Sequence, residues 1–264
     1  FKCAEPASFN YKNGLHLCRQ CFQTHVMLRK LRAFLRNELQ VFGKVNPLWL
    51  YFDGSVESAA LAHVLAQSHA QNAALKKKIF FEFTLIVPRR AWRIEKDAKV
   101  VGLARALAEE LKVGVVELEV FADAAEREQW VGLGGQVAEK GGFRRDFFDI
   151  LLARALERFS AGKKLLFADY AEQAAATALT LFCTCRQGLV LQRCSPVWKR
   201  GEVVQARPLL DFSGREIVYY AHINALFRFT APGEEPSAQM ALLPGQGSIR
   251  QLVLDLVMDL HASN

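Results

Sequence analysis

The chain has 264 residues, 51% hydrophobic and 23% charged. That fits one large domain, or one domain with a small attachment, and is too apolar for a disordered protein. No apolar run approaches the roughly 18 residues that a membrane-spanning helix needs, so the expectation is a soluble protein with no membrane partner. The net charge of +7, from 34 basic and 27 acidic residues, points to an anionic partner such as nucleic acid, or to a surface charged for solubility alone.

The chain begins at Phe1 rather than Met, which is expected of a fragment of a longer chain and leaves room for a targeting segment upstream. Residues 1–24 hold Cys3 and the pair Cys18-Arg-Gln-Cys21. A C-x-x-C turn aims two thiolates at one tetrahedral metal, and Asn13-Gly14 suits a hairpin between two such knuckles. Cys3, Cys18 and Cys21 are therefore candidate ligands of a structural zinc. The fourth would be a cysteine just before Phe1, His16 or His25. The alternative is a pair of ordinary buried thiols or a redox pair.

Residues 25–42 read as a helix. Leu28, Leu31, Leu35 and Leu39 form its apolar stripe. Arg29, Arg32 and Arg36 recur on another face, with Lys30 beside them. These four are candidate contacts to a nucleic-acid phosphate backbone, or else the solvated side of an amphipathic helix. Gly43, Asn46 and Pro47 mark a boundary, dividing the chain into an N-terminal cysteine module with a basic helix (1–46) and an α/β domain with a C-terminal helical extension (47–264).

From Leu48 the pattern alternates between strand and helix. Leu48 to Phe52 is an unbroken apolar run, as in a strand buried on both faces. Asp53, Gly54 and Ser55 follow, and a helix runs over Ser58–Gln71. A strand, a small-residue loop and a helix can hold a phosphate on backbone N–H groups, though the same layout also serves as a plain turn. Lys76-Lys77-Lys78 leads to a strand over Ile79–Val87. Arg89, Arg90 and Arg93 precede a helix near Glu95–Lys112, and a strand over Val113–Phe121 follows. Residues 122–142 are glycine-rich. Arg144–Ser160 reads as a helix, Leu165–Ala168 as a strand, and Asp169 as the cap of a helix running to about Leu181. Ser213-Gly-Arg-Glu216 has the spacing of a capping box. Ser248 would cap a last helix carrying Ile249, Leu252, Leu256 and Leu260. This alternation predicts an α/β fold: a doubly wound, mostly parallel sheet with helices on both faces.

Several stretches, in order, resemble the cytoplasmic tRNA 2-thiolation protein 2 family, the cytosolic thiouridylase subunit 2. They are K-C…C-R-Q-C-F, V-M-L-R-K-L-R-A-F-L, D-G-S-V-E-S, R-P-L-L-D-F-S-G-R-E-I-V-Y-Y and G-S-I-R-Q-L-V-L-D-L. The family is related to the N-type ATP pyrophosphatases, whose phosphate loop reads S-G-G-x-D-S. The resemblance implies a pyrophosphatase-like (PP-loop) α/β domain behind an N-terminal zinc-knuckle module. It also implies a cytoplasmic pseudo-enzyme subunit, heterodimeric with a catalytic thiouridylase. That complex would thiolate the wobble uridine of lysine, glutamate and glutamine tRNAs, with sulfur from a thiocarboxylated ubiquitin-related modifier.

The departures from the pattern point to lost catalysis. Asp53 stands in the first Ser position, Ser55 in the second Gly position and Glu57 in the Asp position, while Gly54 and Ser58 match. Asp53, Gly54, Ser55 and Ser58 thus form a degenerate phosphate loop in which ATP is not expected. No cysteines lie near Gly142 to Arg145 or in the segment after His222. Cys183, Cys185 and Cys194 read as buried or incidental thiols, so no iron–sulfur cluster is expected. The other readings are an active ATP-dependent tRNA sulfurtransferase with an unusual loop, and a plain zinc-containing RNA-binding module.

Overall fold

The computed structural model describes residues 5–11, 15–41, 45–74, 81–89, 94–121, 123–126, 128, 144–159, 162–183 and 185–231. Cys3, the Lys76–Lys78 turn, Arg90, Arg93, most of the glycine-rich stretch and the helix expected from Ser248 lie outside them.

Two short strands, β1 (Phe9–Tyr11) and β2 (Leu15–Leu17), form an antiparallel pair. A helical stretch follows: α1 (Arg19–Cys21), a π-helical turn (Phe22–Leu28) and α2 (Arg29–Asn37). The helix expected over 25–42 thus starts earlier and ends sooner. Its leucine stripe lies as read, with Leu28, Leu31, Leu35 and Leu39 all buried.

The alternating part comprises β3 (Asn46–Tyr51), α3 (Val56–Ala74), β4 (Phe81–Arg89), α4 (Ile94–Leu111), β5 (Gly114–Glu119) and α5 (Arg144–Phe159). It continues with β6 (Lys164–Leu166), α6 (Ala171–Cys183), α7 (Val190–Cys194), β7 (Val197–Arg200), β8 (Val203–Ala206) and α8 (Gly214–Ile223). A 3₁₀ turn, Leu226–Phe229, comes last. Asn46 and Pro47, read as a boundary, are the first residues of β3.

The sheet order is β5-β4-β3-β6-β8-β7. Every pairing from β5 to β8 is parallel, and β7 closes the edge antiparallel to β8. This is the doubly wound, mostly parallel α/β sheet that the alternation predicts. The chain leaves β3 in one direction for β4 and β5, and later returns to β3's other side with β6. The order therefore reverses between β3 and β6, and the loops leaving these two strands frame the crevice where open α/β sheets take ligands.

Strand period two assigns the core. Leu48 and Leu50 face one side with Leu85, Val87 and Leu166, against α2, α3, α4 and α8. Trp49 and Tyr51 face the other side with Ile86 and Leu165, against Leu151, Ala155 and Leu156 of α5. Both faces are covered, which is why β3 reads as a continuous apolar run rather than an alternating one. Phe22, Leu31 and Leu35 belong to the same cluster as Leu50, so the N-terminal helices share their core with the sheet. Phe9 stacks on Tyr219 of α8 at 4.3 Å between ring centres, which fixes the hairpin to that helix. Each fully buried Leu or Phe adds about 1.5–3 kcal/mol of transfer free energy.

Candidate functional site

The loop after β3 runs over Phe52, Asp53, Gly54 and Ser55. Phe52 is buried and its N–H donates to Ile86 O, which continues the β-ladder. Gly54 then takes φ +83, in the left-handed region. A Cβ placed on it would lie 3.1 Å from Val100 Cγ2 and 3.3 Å from Ala231 Cβ. Only glycine suits both the dihedral and the space. The Gly54 carbonyl accepts the Ala231 N–H at 2.9 Å, so the last described residues lie across the loop.

Where the structure could offer backbone donors, the chain uses its own side chains instead. The Ser55 N–H donates to Asp53 Oδ1 at 3.0 Å. Ser55 is the N-cap of α3, its Oγ accepting the Ser58 N–H at 3.2 Å. The buried Ser58 hydroxyl donates back to Ser55 O at 2.9 Å. The four residues read from the sequence as a degenerate phosphate loop are thus brought together, and Asp53, Ser55 and Ser58 are joined by local hydrogen bonds. The Asp53 carboxylate already supplies the negative charge favoured at a helix N-terminus. A phosphate 4 Å from it would be repelled by about 4 kcal/mol at an intermediate dielectric.

Across the switch point, the loop after β6 carries Asp169. The sequence reading made it the cap of the next helix. The structure corrects this: α6 begins at Ala171, and Asp169 Oδ2 accepts from Arg207 Nε at 2.9 Å. Arg207, at the end of β8, is buried, also donates to Ser195 O, and lies over the Phe167 ring at 5.4 Å. It was not singled out, although it opens the R-P-L-L-D stretch. An arginine directly after a strand, 38 positions from an aspartate after another strand, was the available signal.

The four basic residues of the N-terminal helix separate into two kinds. Arg29 and Arg36 are exposed, with Arg36 Nε donating to Asn37 Oδ1 at 3.1 Å. Lys30 turns inward. Its Nζ donates to Asp211 O at 2.9 Å, lies 3.4 Å from Glu216 Oε1 and sits 4.6 Å over the Phe212 ring. Arg32 donates to Ser68 Oγ at 3.4 Å and to Gln71 Oε1 at 2.7 Å, and burial lowers its pKa from the ordinary value. Lys30 and Arg32 are therefore spent on α8 and α3, which leaves Arg29 and Arg36 as the exposed pair. The capping box predicted at Ser213–Glu216 is present, and Lys30 meets the second oxygen of its buried Glu216.

Cys18 and Cys21 are both buried, and Cys18 caps α1 with its Sγ accepting the Cys21 N–H at 3.3 Å. His16 and His25 are exposed, and Cys3 lies outside the described residues. Among the described residues no group of three or more His, Cys, Asp or Glu side chains converges as a metal site would require. They thus offer two thiols of the four ligands that a structural zinc needs. Cys183 and Cys185, at and just after the end of α6, are exposed, which removes the buried alternative of the sequence reading and leaves the incidental one. Cys194 lies half-buried with its Sγ 3.4 Å from Ala174 O. Among the described residues no helix is long and apolar enough to cross a membrane.

No protein-family model matches the chain, and no curated protein matches it in sequence. Solved structures do. The chain is similar to the U34-tRNA thiolase NcsA from Methanococcus maripaludis, solved with its [4Fe-4S] cluster, at TM-score 0.73 and 15% identity, covering 99% of this chain and 81% of that one. An NAD+ synthetase from Burkholderia pseudomallei matches at TM-score 0.47 and 11% identity, covering 94% of this chain and 92% of that one. A phosphoadenylyl-sulfate reductase from Candida auris matches at TM-score 0.43 and 13% identity, covering 80% and 89%. The first of these shows that the α/β fold described here is shared with a tRNA thiolase.

Proposed function

We infer that the chain is the non-catalytic subunit of a cytosolic tRNA thiolation complex. In this reading it pairs with a catalytic thiouridylase that carries an intact S-G-G-x-D-S loop. The pair acts on the wobble uridine of lysine, glutamate and glutamine tRNAs, with sulfur delivered by a thiocarboxylated ubiquitin-related modifier. The fold supports the link to tRNA thiolation, being shared with a U34-tRNA thiolase at TM-score 0.73. The sequence resemblance supplies the subunit and the pathway.

The observation that carries the non-catalytic reading is the loop after β3. A phosphate cradle must present unpaired N–H groups to the ligand. Here Asp53 takes the Ser55 N–H and Ser55 takes the Ser58 N–H, while the Asp53 carboxylate adds a negative charge where a phosphate would sit. What remains is a loop that orders the start of α3 and holds the carboxyl end of β3. The exposed Arg29 and Arg36 supply positive charge for an RNA backbone, and the zinc expected at Cys18 and Cys21 would serve as a structural staple.

The experiment is AMP formation by the purified chain with ATP and tRNA. The expected rate is background, with thiolation appearing when the catalytic subunit is added. A rate that disappears in Gly54→Asp would establish an active sulfurtransferase instead.

A further inference from the structure

We propose that the cleft between the π-helical turn and α3 binds a single unpaired nucleobase. The cleft has a volume of about 330 Å³, within the range of small-ligand sites. Gln20, Thr24 and Leu28 come from one side, at a spacing of four that the widened turn keeps on one face. Gln67, Ala70 and Gln71 come from the other, at i, i+3 and i+4 on α3. Two helices that face each other this closely normally meet through apolar side chains. Here both facing stripes are rich in carboxamides, over a floor made by buried Leu28.

The network around the cleft fixes which way these amides point. Arginine can only donate, so Gln71 must turn its oxygen to Arg32, which leaves its NH₂ group for a ligand. Asn224 donates its own NH₂ to Tyr220 O, so its oxygen faces Gln23, and Gln23 must donate. The Gln23 carbonyl then remains as an acceptor at the cleft. Gln67 accepts from the Tyr220 hydroxyl and keeps its NH₂ group. The lining therefore offers amide donors and an amide acceptor side by side, held by partners outside the cleft.

No lining residue is ionisable. The cation at its edge, Arg32, turns Nε and Nη2 onto Ser68 and Gln71 of α3. Among the described residues an anion would find no dedicated partner in the lining, and a hydrocarbon would leave the amides unpaired. A neutral, flat ring with donors and acceptors along its edge satisfies the set, which is how Asn and Gln read base edges elsewhere. The tRNA reading above supplies the source of such a base, and the proposal rests on it for that alone.

Two measurements on the full chain separate the ideas. The first is saturation-transfer NMR with adenosine, cytidine, guanosine and uridine at millimolar concentration. Base-proton signals from at least one nucleoside, lost in Ala70→Trp, are expected. Ala70 is exposed, so the larger ring fills the cleft without disturbing the core. The second is the affinity for an unmodified tRNA transcript across a salt series. Ala70→Trp, and separately Gln20→Leu with Thr24→Val, should weaken binding about tenfold and leave the slope of log K against log salt unchanged, because a base contact releases no counterions. Absence of signal from all four nucleosides overturns the proposal, as does wild-type tRNA affinity in both variants. Nucleoside binding without tRNA binding would sustain the cleft and refute the tRNA reading instead.

Discussion

His63 Nδ1 lies 2.8 Å from the Tyr220 hydroxyl, which joins α3 to α8 through a tyrosine with no exposed surface. The same hydroxyl donates to Gln67 Oε1 at 3.1 Å. It has one hydrogen and two neighbours, so His63 must donate from Nδ1 while Tyr220 donates to Gln67. Burial raises the Tyr220 pKa far above its ordinary value, which keeps the phenol protonated. Tyr220→Phe should leave the His63 donor and the Gln67 acceptor without this partner and destabilise the fold by about 1–3 kcal/mol. Urea unfolding checks this, and an unchanged midpoint would show the hydroxyl to be idle.

The same histidine gives a pH dependence. Burial lowers its pKa below the ordinary 6.5; nearby Glu110 opposes the shift and Arg228 adds to it. Below pH 6.5 the unfolded chain therefore binds more protons at this site than the folded one. The stabilisation is complete above pH 6.5 and is lost as pH falls through that value toward the lowered folded pKa. His63→Gln should flatten this part of the stability–pH curve. A curve of unchanged steepness would place the dependence elsewhere.

Gly54→Ala should cost about 1–3 kcal/mol through its positive φ alone. Contact with Val100 at 3.1 Å should add to that. Pairing it with Val100→Ala relieves the contact but not the dihedral, so a double-mutant cycle by thermal unfolding should show a coupling of the two changes. Strict additivity would mean that Val100 does not press on this loop.

Changing Asp53 to Ser removes the carboxylate at the start of α3 and with it the repulsion of an incoming phosphate. The affinity for inorganic pyrophosphate, by titration calorimetry, should rise at least tenfold over the wild-type chain. Equal affinities would show that the closed hydrogen bonds of the loop, not the charge, exclude the anion.

The basic helix should divide by mutation as it does by structure. Arg29→Glu with Arg36→Glu should weaken tRNA binding, lower the salt slope by about 2 and leave stability near wild type. Lys30→Ala should instead destabilise by about 1–3 kcal/mol, because the buried Glu216 loses a charged donor. A loss of tRNA affinity in Lys30→Ala equal to that of the double variant, with stability unchanged, would contradict the inward placement of Lys30.

Much of this architecture was legible in the sequence because single residues declare it. The run from Leu48 to Phe52 identifies a strand covered on both faces, and Ser213 with Glu216 identifies a helix start. The fate of Lys30 was not legible. Helical spacing says which residues share a face, but not that Phe212 and Glu216, far along the chain, cover that face. Asp169 was misread for the same reason: a local cap competed with Arg207, and the distant charge won. The β7–β8 hairpin escaped notice because its strands have four residues each and carry Lys199 and Arg200 at the sheet edge, where charge reads as loop. The cleft at Gln67 and Gln71 needs two helices at once, which no single periodicity reveals.

The bond from Ala231 N–H to Gly54 O makes residue 231 a clasp on the loop as well as a packing contact. Whatever follows it must start its path at the mouth of the crevice. Moving Ala231 would take away the donor on the Gly54 carbonyl and the methyl beside its Cα, so the loop after β3 and residue 231 keep or lose their positions together. One edge of the crevice is thus built from two segments 177 positions apart, Gly54 and Ala231, and a substitution in either is felt at the other.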